Sequence, residues 1–292
     1  MTSPPGARRI REAFDRASAD RRAVLVAYLV AGHPDAAASL AAAEAAFEHG
    51  ADLLELGVPF SDPVADGPLI AAAGHAAVAA GGGIGSAVRL ARQLRDRGHH
   101  QPLLAMGYLN PLVARGRSRT LRELADVGFD GLIVPDLPVD EDRQLEREIA
   151  AAGLGVCFLV TPNTSPERLE RAIRASSGFL YVVPLFGVTG ARHEVATSAG
   201  ALLERIGRAV AGRVPVAVGF GISRPEHVRE LGRHADGVIV GSAVVAALES
   251  DGPHGVGQLI GGLSEATNRM VEATPRGLVR GLAPEPSSDS SR

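Results

Sequence analysis

Residues 54–68 read LELGVPFSDPVADGP and carry three carboxylates, Glu55, Asp62 and Asp66, among apolar neighbours, glycine and proline. Leu53, Leu54 and Leu56 form an apolar run of the kind buried on both faces of a sheet, so a carboxylate inside it is desolvated unless it lines a cavity. Desolvation raises a carboxyl pKa, which suits Glu55 to carrying a proton near neutral pH; the structural alternative is a buried Glu satisfied by an arginine or by backbone donors. Asp66, in a loop between Ala65 and Gly67, is expected to stay ionised and to accept a hydrogen bond. Two carboxyls in contrasting environments are well suited to acid–base chemistry. Pro59, Pro63 and Pro68 interrupt any strand or helix here, leaving a long irregular connection that holds Asp62 and Asp66.

A second group of motifs suits an anion. The turns GVTG (187–190, with Thr189 and Gly190), GFGIS (219–223, with Gly219 and Gly221) and GSA (241–243, with Gly241 and Ser242) are built of small residues. Backbone N–H groups of such turns, placed at helix beginnings, make phosphate sites; the alternative is that their glycines only allow tight turns. GFGIS followed by Pro225 and Glu226 is read as opening a helix, and GSA as opening another. Tyr108, Asn110, Asp136 and Tyr181 close other apolar runs. The nine histidines do not cluster at metal-ligand spacings, so no metal is expected, and no lysine lies in any strand, which argues against Schiff-base aldol chemistry.

Positioning these residues requires repeated strands. Eight apolar runs are spaced along the chain: 24–30, 53–58, 102–108, 131–134, 155–160, 179–185, 214–220 and 237–241. Helical segments alternate with them, among them 38–50, 87–98, 140–153 and 165–176. Gly50, Gly98 and Gly153 stand where left-handed helix caps belong, and Ser165 followed by Pro166 reads as an N-cap. Eight strands with crossovers predict a single (β/α)8 TIM barrel, preceded by an extra N-terminal helix around Ile10–Ala17, with the active site at the C-terminal ends of the strands. An open doubly wound sheet would want a glycine-rich fingerprint after the first strand, and AGHPD is not one. GGGIG (81–85) is read as a flexible linker. The expected division is a flexible segment 1–8, a catalytic barrel over 9–275, and a disordered tail over 276–292.

Composition agrees with one soluble unit. Of the 292 residues, 46% are hydrophobic and 4% aromatic, with no Trp, so the core must be aliphatic. The net charge of −3 shows no basic stripe for nucleic acid or membrane. A single cysteine, Cys157, and no long apolar run predict a cytoplasmic protein.

ELGVPFSDPVADGP, GLIVPDLP (131–138), GVTGAR (187–192), GFGIS and GSA resemble, in order and spacing over roughly residues 8–270, the motifs of the tryptophan synthase alpha subunit family. The resemblance implies retro-aldol cleavage of indole-3-glycerol phosphate to indole and glyceraldehyde 3-phosphate, without a cofactor. It gives Glu55 the general acid/base role and Asp66 the role of holding the indole N–H. Tyr28, Tyr108 and Tyr181 fall to the substrate pocket, and Thr189, Gly190, Gly219, Gly221, Gly241 and Ser242 to substrate and phosphate contacts. Pro59, Asp62 and Asp136 fall to a lid and partner interface, the partner being a beta subunit in an alpha2-beta2 assembly. Two departures stand out: VVPLF precedes GVTG where the family is Ser/Thr-rich, and Ala71 replaces a Gln. Both lie on loops that close over the site or meet the beta subunit. A stand-alone lyase releasing free indole, and a weakly catalytic subunit that activates a partner, are the rival readings.

Overall fold

The computed structural model describes residues 3–184, 192–219 and 221–268, with the backbone alone for 192–198. In chain order the elements are α1 (Pro5–Ala19), β1 (Val24–Val30), α2 (Ala36–Glu48), β2 (Leu53–Gly57), α3 (Pro68–Ala79), α4 (Ile84–Asp96), β3 (Leu103–Met106), α5 (Leu109–Ala114), α6 (Arg117–Asp126), β4 (Gly131–Ile133), α7 (Arg143–Ala151), β5 (Gly155–Val156), β6 (Leu159–Val160), α8 (Pro166–Ala175), β7 (Leu180–Val182), α9 (Arg192–Val210), β8 (Val216–Gly219), α10 (Pro225–Gly232), β9 (Gly237–Val240) and α11 (Ser242–Glu265). The last is broken at Gly252.

The strands pair in parallel, in the order β5-β4-β3-β2-β1-β9-β8-β7-β6. The two ends of that order are the halves of one apolar run, 155–160. Its first half pairs with β4 and its second half with β7. Between them the Cys157 N–H donates to the Leu132 carbonyl, and the Tyr181 N–H donates to the Phe158 carbonyl. The sheet therefore closes on itself, and the expected eight-run barrel is present. The run expected as one strand is broken at its centre because its two halves must serve different neighbours as the barrel turns.

Alternation places the side chains. In β1, Val24, Val26 and Tyr28 face the interior, whereas Leu25, Ala27 and Leu29 join the layer under the helices. Helix ends follow the local chemistry: Asp35 caps the Ala38 N–H, Asp142 caps that of Leu145, and Ser165 caps that of Arg168. Gly50, Gly98 and Gly153 have φ of +105°, +86° and +87°, as their places after helices require.

Two readings need correction. α1 begins at Pro5, not near Ile10, and Gly6 and Ala7 are already buried. Its apolar stripe, Ile10, Ala13, Phe14 and Ala17, packs on the inward residues Val24, Leu53, Leu104 and Ile133 and so plugs the N-terminal end of the barrel. The polar edge of this plug is tied down by Asp130, which receives Arg9 and Arg95 at 2.9 Å each and the Leu103 N–H at 3.0 Å. The segment 81–85 is an ordered corner, not a linker: the Gly82 N–H donates to the Ala77 carbonyl at 2.8 Å, and a Cβ on Gly82 would lie 2.5 Å from that oxygen. The expected tail over 276–292 lies outside the described residues. Among the described residues no single helix is long and apolar enough to cross a membrane.

Candidate active site

β2 carries Glu55 into the barrel. Its register partners are Tyr28 on β1 and Leu104 on β3, so it lies on the inward face beside both. Glu55 is 0% exposed, and among the described residues neither carboxylate oxygen has a hydrogen-bond partner. The alternative of a structural Glu satisfied by arginine or backbone is therefore not met. Burial pushes its pKa up to about 8, which keeps the carboxyl protonated near neutral pH.

Two tyrosines share the interior with it. Tyr181, from β7, packs on Phe179 at 6.0 Å between ring centres. Burial lifts the Tyr28 and Tyr181 hydroxyls well above their ordinary range, and the charges of Glu55 and Asp66 add to this at both. Both carboxyls therefore lie within electrostatic reach of both rings. Space for the rings comes from missing side chains. A Cβ on Gly57 would collide with the Tyr28 hydroxyl, and one on Gly219 would lie 2.6 Å from that of Tyr181. Gly57 is a site residue that the sequence reading missed; its signal was a glycine ending a strand directly after the catalytic candidate. Gly241 closes the same neighbourhood from β9, where a Cβ would lie 3.3 Å from Ile70 and 3.7 Å from Tyr28.

Asp66 arrives on the loop after β2. Pro68 starts α3 at its first position behind Gly67, so the loop must end there. Tyr108, at the N-cap of α5, holds the loop from the next strand: its hydroxyl oxygen accepts the Ala65 N–H at 3.0 Å, and its ring packs on Phe60 at 5.3 Å. Burial raises the Asp66 pKa, and the Tyr108 hydroxyl beside it opposes the rise. Asp136, after β4, accepts the Leu109 N–H at 2.9 Å and so fixes the start of α5.

Pro59 is buried at the root of the loop, whereas Asp62 is exposed and takes the Ser61 hydroxyl at 2.5 Å. Neither Asp62 nor Asp136 joins Glu55. On the far side of β1 from Glu55, Ser242 is the first residue of α11 with Gly241 at the N-cap, as the GSA reading required. At this helix opening the Val244 and Val245 N–H groups both donate to the Gly241 carbonyl, at 2.8 and 3.1 Å. Gly221 is exposed with φ of +66°. GFGIS leads into α10, which starts at Pro225 with Arg224 at its N-cap, as the reading with Pro225 and Glu226 expected. Thr189 and Gly190 lie outside the described residues.

The chain as a whole is matched by known proteins. The family model for the tryptophan synthase alpha chain matches residues 14–272. The tryptophan synthase alpha chain of Roseiflexus castenholzii is 44% identical over 245 residues, covering 84% of this chain and 93% of that one. That of Chloroflexus aggregans is 41% identical over 268 residues, covering 92% and 98%. Among solved structures, tryptophan synthase from M. tuberculosis superposes with a TM-score of 0.81 at 36% identity, covering 89% of this chain and 99% of that one. Sequence and fold agree along nearly the whole length, and the chain belongs to the tryptophan synthase alpha chain family.

Proposed function

We propose that this chain is a lyase that cleaves indole-3-glycerol phosphate to indole and glyceraldehyde 3-phosphate by a retro-aldol step, in a single catalytic domain over residues 9–275. The observation that carries this reading is Glu55, a fully buried carboxyl facing the barrel interior, with both oxygens unpartnered among the described residues and its pKa raised to about 8.

The chemistry requires a proton delivered to indole C3 and one removed from the C3′ hydroxyl. Once C3 is protonated, the C3–C3′ bond breaks, its electron pair returns to the indole ring, and the C3′ hydroxyl loses its proton as the aldehyde forms. Glu55, protonated at neutral pH, serves as the acid and its conjugate base as the acceptor. Asp66, as a carboxylate, holds the indole N–H and stabilises the positive charge that ring protonation creates. Tyr28 and Tyr181 wall the indole pocket. Thr189, Gly190, Gly219, Gly221, Gly241 and Ser242 take the phosphate end through backbone donors and the Ser242 hydroxyl, which needs no cation and no cofactor.

A beta subunit is the proposed partner, in an alpha2-beta2 assembly in the cytoplasm, with Pro59, Asp62 and Asp136 on the lid and interface side. Val64, two residues beyond Asp62, is 82% exposed, and an apolar side chain presented on a lid loop suits a protein contact. The test is to follow both products from purified chain and indole-3-glycerol phosphate, alone and with a tryptophan synthase beta chain from the same source. Equimolar products, rising strongly with the beta chain, are expected. No indole under either condition would exclude the lyase, and fast turnover indifferent to the beta chain would favour the stand-alone rival.

A further inference from the structure

The GFGIS turn is held at its far end by a side chain that no motif marks. Arg224, at the N-cap of α10, makes no side-chain cap. Instead His227, in the first turn of the helix, folds back so that its Nδ1 accepts the Ser223 N–H at 3.3 Å. Its own backbone N–H donates to the Arg224 carbonyl at 3.1 Å. This follows the logic of a capping box, in which the third helical residue reaches back to a backbone N–H ahead of the helix. Here the acceptor is an imidazole, and the N–H it takes lies one residue further out. Because Nδ1 accepts, the ring proton of the neutral imidazole sits on Nε2.

The consequence falls on the turn. Ile222 is buried at 4% exposure, Gly221 is exposed with φ of +66°, and Ser223 is fixed by His227. Three consecutive residues thus leave β8 in a conformation set from both sides, by the core under Ile222 and by the start of α10. Backbone donors that grip a phosphate bind best when they are already ordered, since ordering them on binding subtracts from the affinity.

We propose that His227 is a positioning residue for the phosphate end of the site: it holds the Gly221–Ser223 backbone ready for the phosphorylated tail and sets affinity for that tail without touching the reacting atoms. This rests on the phosphate reading of GFGIS given above. The test is calorimetric binding of glycerol 3-phosphate to the full chain, with steady-state kinetics, for the parent, His227→Ala and His227→Gln. His227→Ala is expected to weaken glycerol 3-phosphate binding about three- to tenfold, the worth of one hydrogen bond. It should raise KM for indole-3-glycerol phosphate by the same factor with little change in kcat. His227→Gln, whose carbonyl oxygen can reach back in the same way, is expected to restore most of the affinity. If His227→Ala binds glycerol 3-phosphate as the parent does, even with a lowered Tm, the residue is only a helix cap and the proposal falls. A fall in kcat at unchanged KM also overturns it. Failure of the parent itself to bind glycerol 3-phosphate would remove the phosphate reading, and is recognised before any substitution is made.

Discussion

Glu55 holds a protonated carboxyl where an apolar residue would ordinarily sit, and its cost appears in stability as well as in rate. Its pKa rises on folding from an ordinary 4.5 to about 8 because burial disfavours the charge. A group whose folded pKa is raised contributes stability that is fully present below the unfolded value and is lost as pH rises through the folded value. Between about pH 4.5 and 8 the folded chain keeps a proton that the unfolded chain has released, so stability falls by up to roughly 1.4 kcal/mol per pH unit from this residue alone. Glu55→Gln keeps the shape and cannot ionise. Urea unfolding at pH 5 and pH 8.5 should therefore show the variant near the parent at the lower pH and a few kcal/mol more stable at the higher one. Parallel stabilities at both pH values would mean that Glu55 is solvated or paired in solution. The residue was legible in the sequence because a carboxylate inside LLELG has nowhere polar to go; the absence of any partner was not, since partners come from other strands.

At the scale of elements, the strand and helix runs were legible because their signals are local: apolar runs, Asp and Ser caps, and glycines after helices. The contacts that organise the site cross between elements and leave no local mark. Tyr108 reads in sequence as an aromatic closing a strand, yet its hydroxyl ties the β2 loop at Ala65, next to Asp66, to the start of α5, which Asp136 fixes in turn. Gly57 and Gly219 are quiet for the same reason, because the rings they admit belong to neighbouring strands. Tyr108→Phe keeps the ring on Phe60 and removes the hydroxyl. Because the Tyr108 hydroxyl opposes the rise of the Asp66 pKa and holds the Ala65 N–H, its loss should move the acid limb of the kcat/KM profile to higher pH and lower the rate at neutral pH by about tenfold, the order of one lost hydrogen bond. The measurement is kcat/KM between pH 5 and 9 for parent and variant; an unmoved acid limb would separate Tyr108 from Asp66.

At the scale of the whole molecule, the closed barrel sets what each end can do. α1 plugs the N-terminal end with Ile10 and Phe14 and anchors its rim on Asp130, leaving the chemistry to the opposite mouth. There Glu55 comes from β2, Asp66 from the loop after it, and the Gly221 and Gly241 turns follow β8 and β9, with Gly241 bordering Tyr28 and Ile70. Closure through the divided run 155–160 was not readable, because an apolar hexapeptide looks the same whether it pairs with two neighbours along its length or with one at each half. The most direct test of the central claim is the rate of indole release from indole-3-glycerol phosphate by Glu55→Gln beside the parent, with Tm measured on the same preparations. Loss of a general acid predicts a fall of about 10² to 10⁴ in kcat with a Tm no lower than the parent's; near-parental cleavage by a normally folded variant would contradict it.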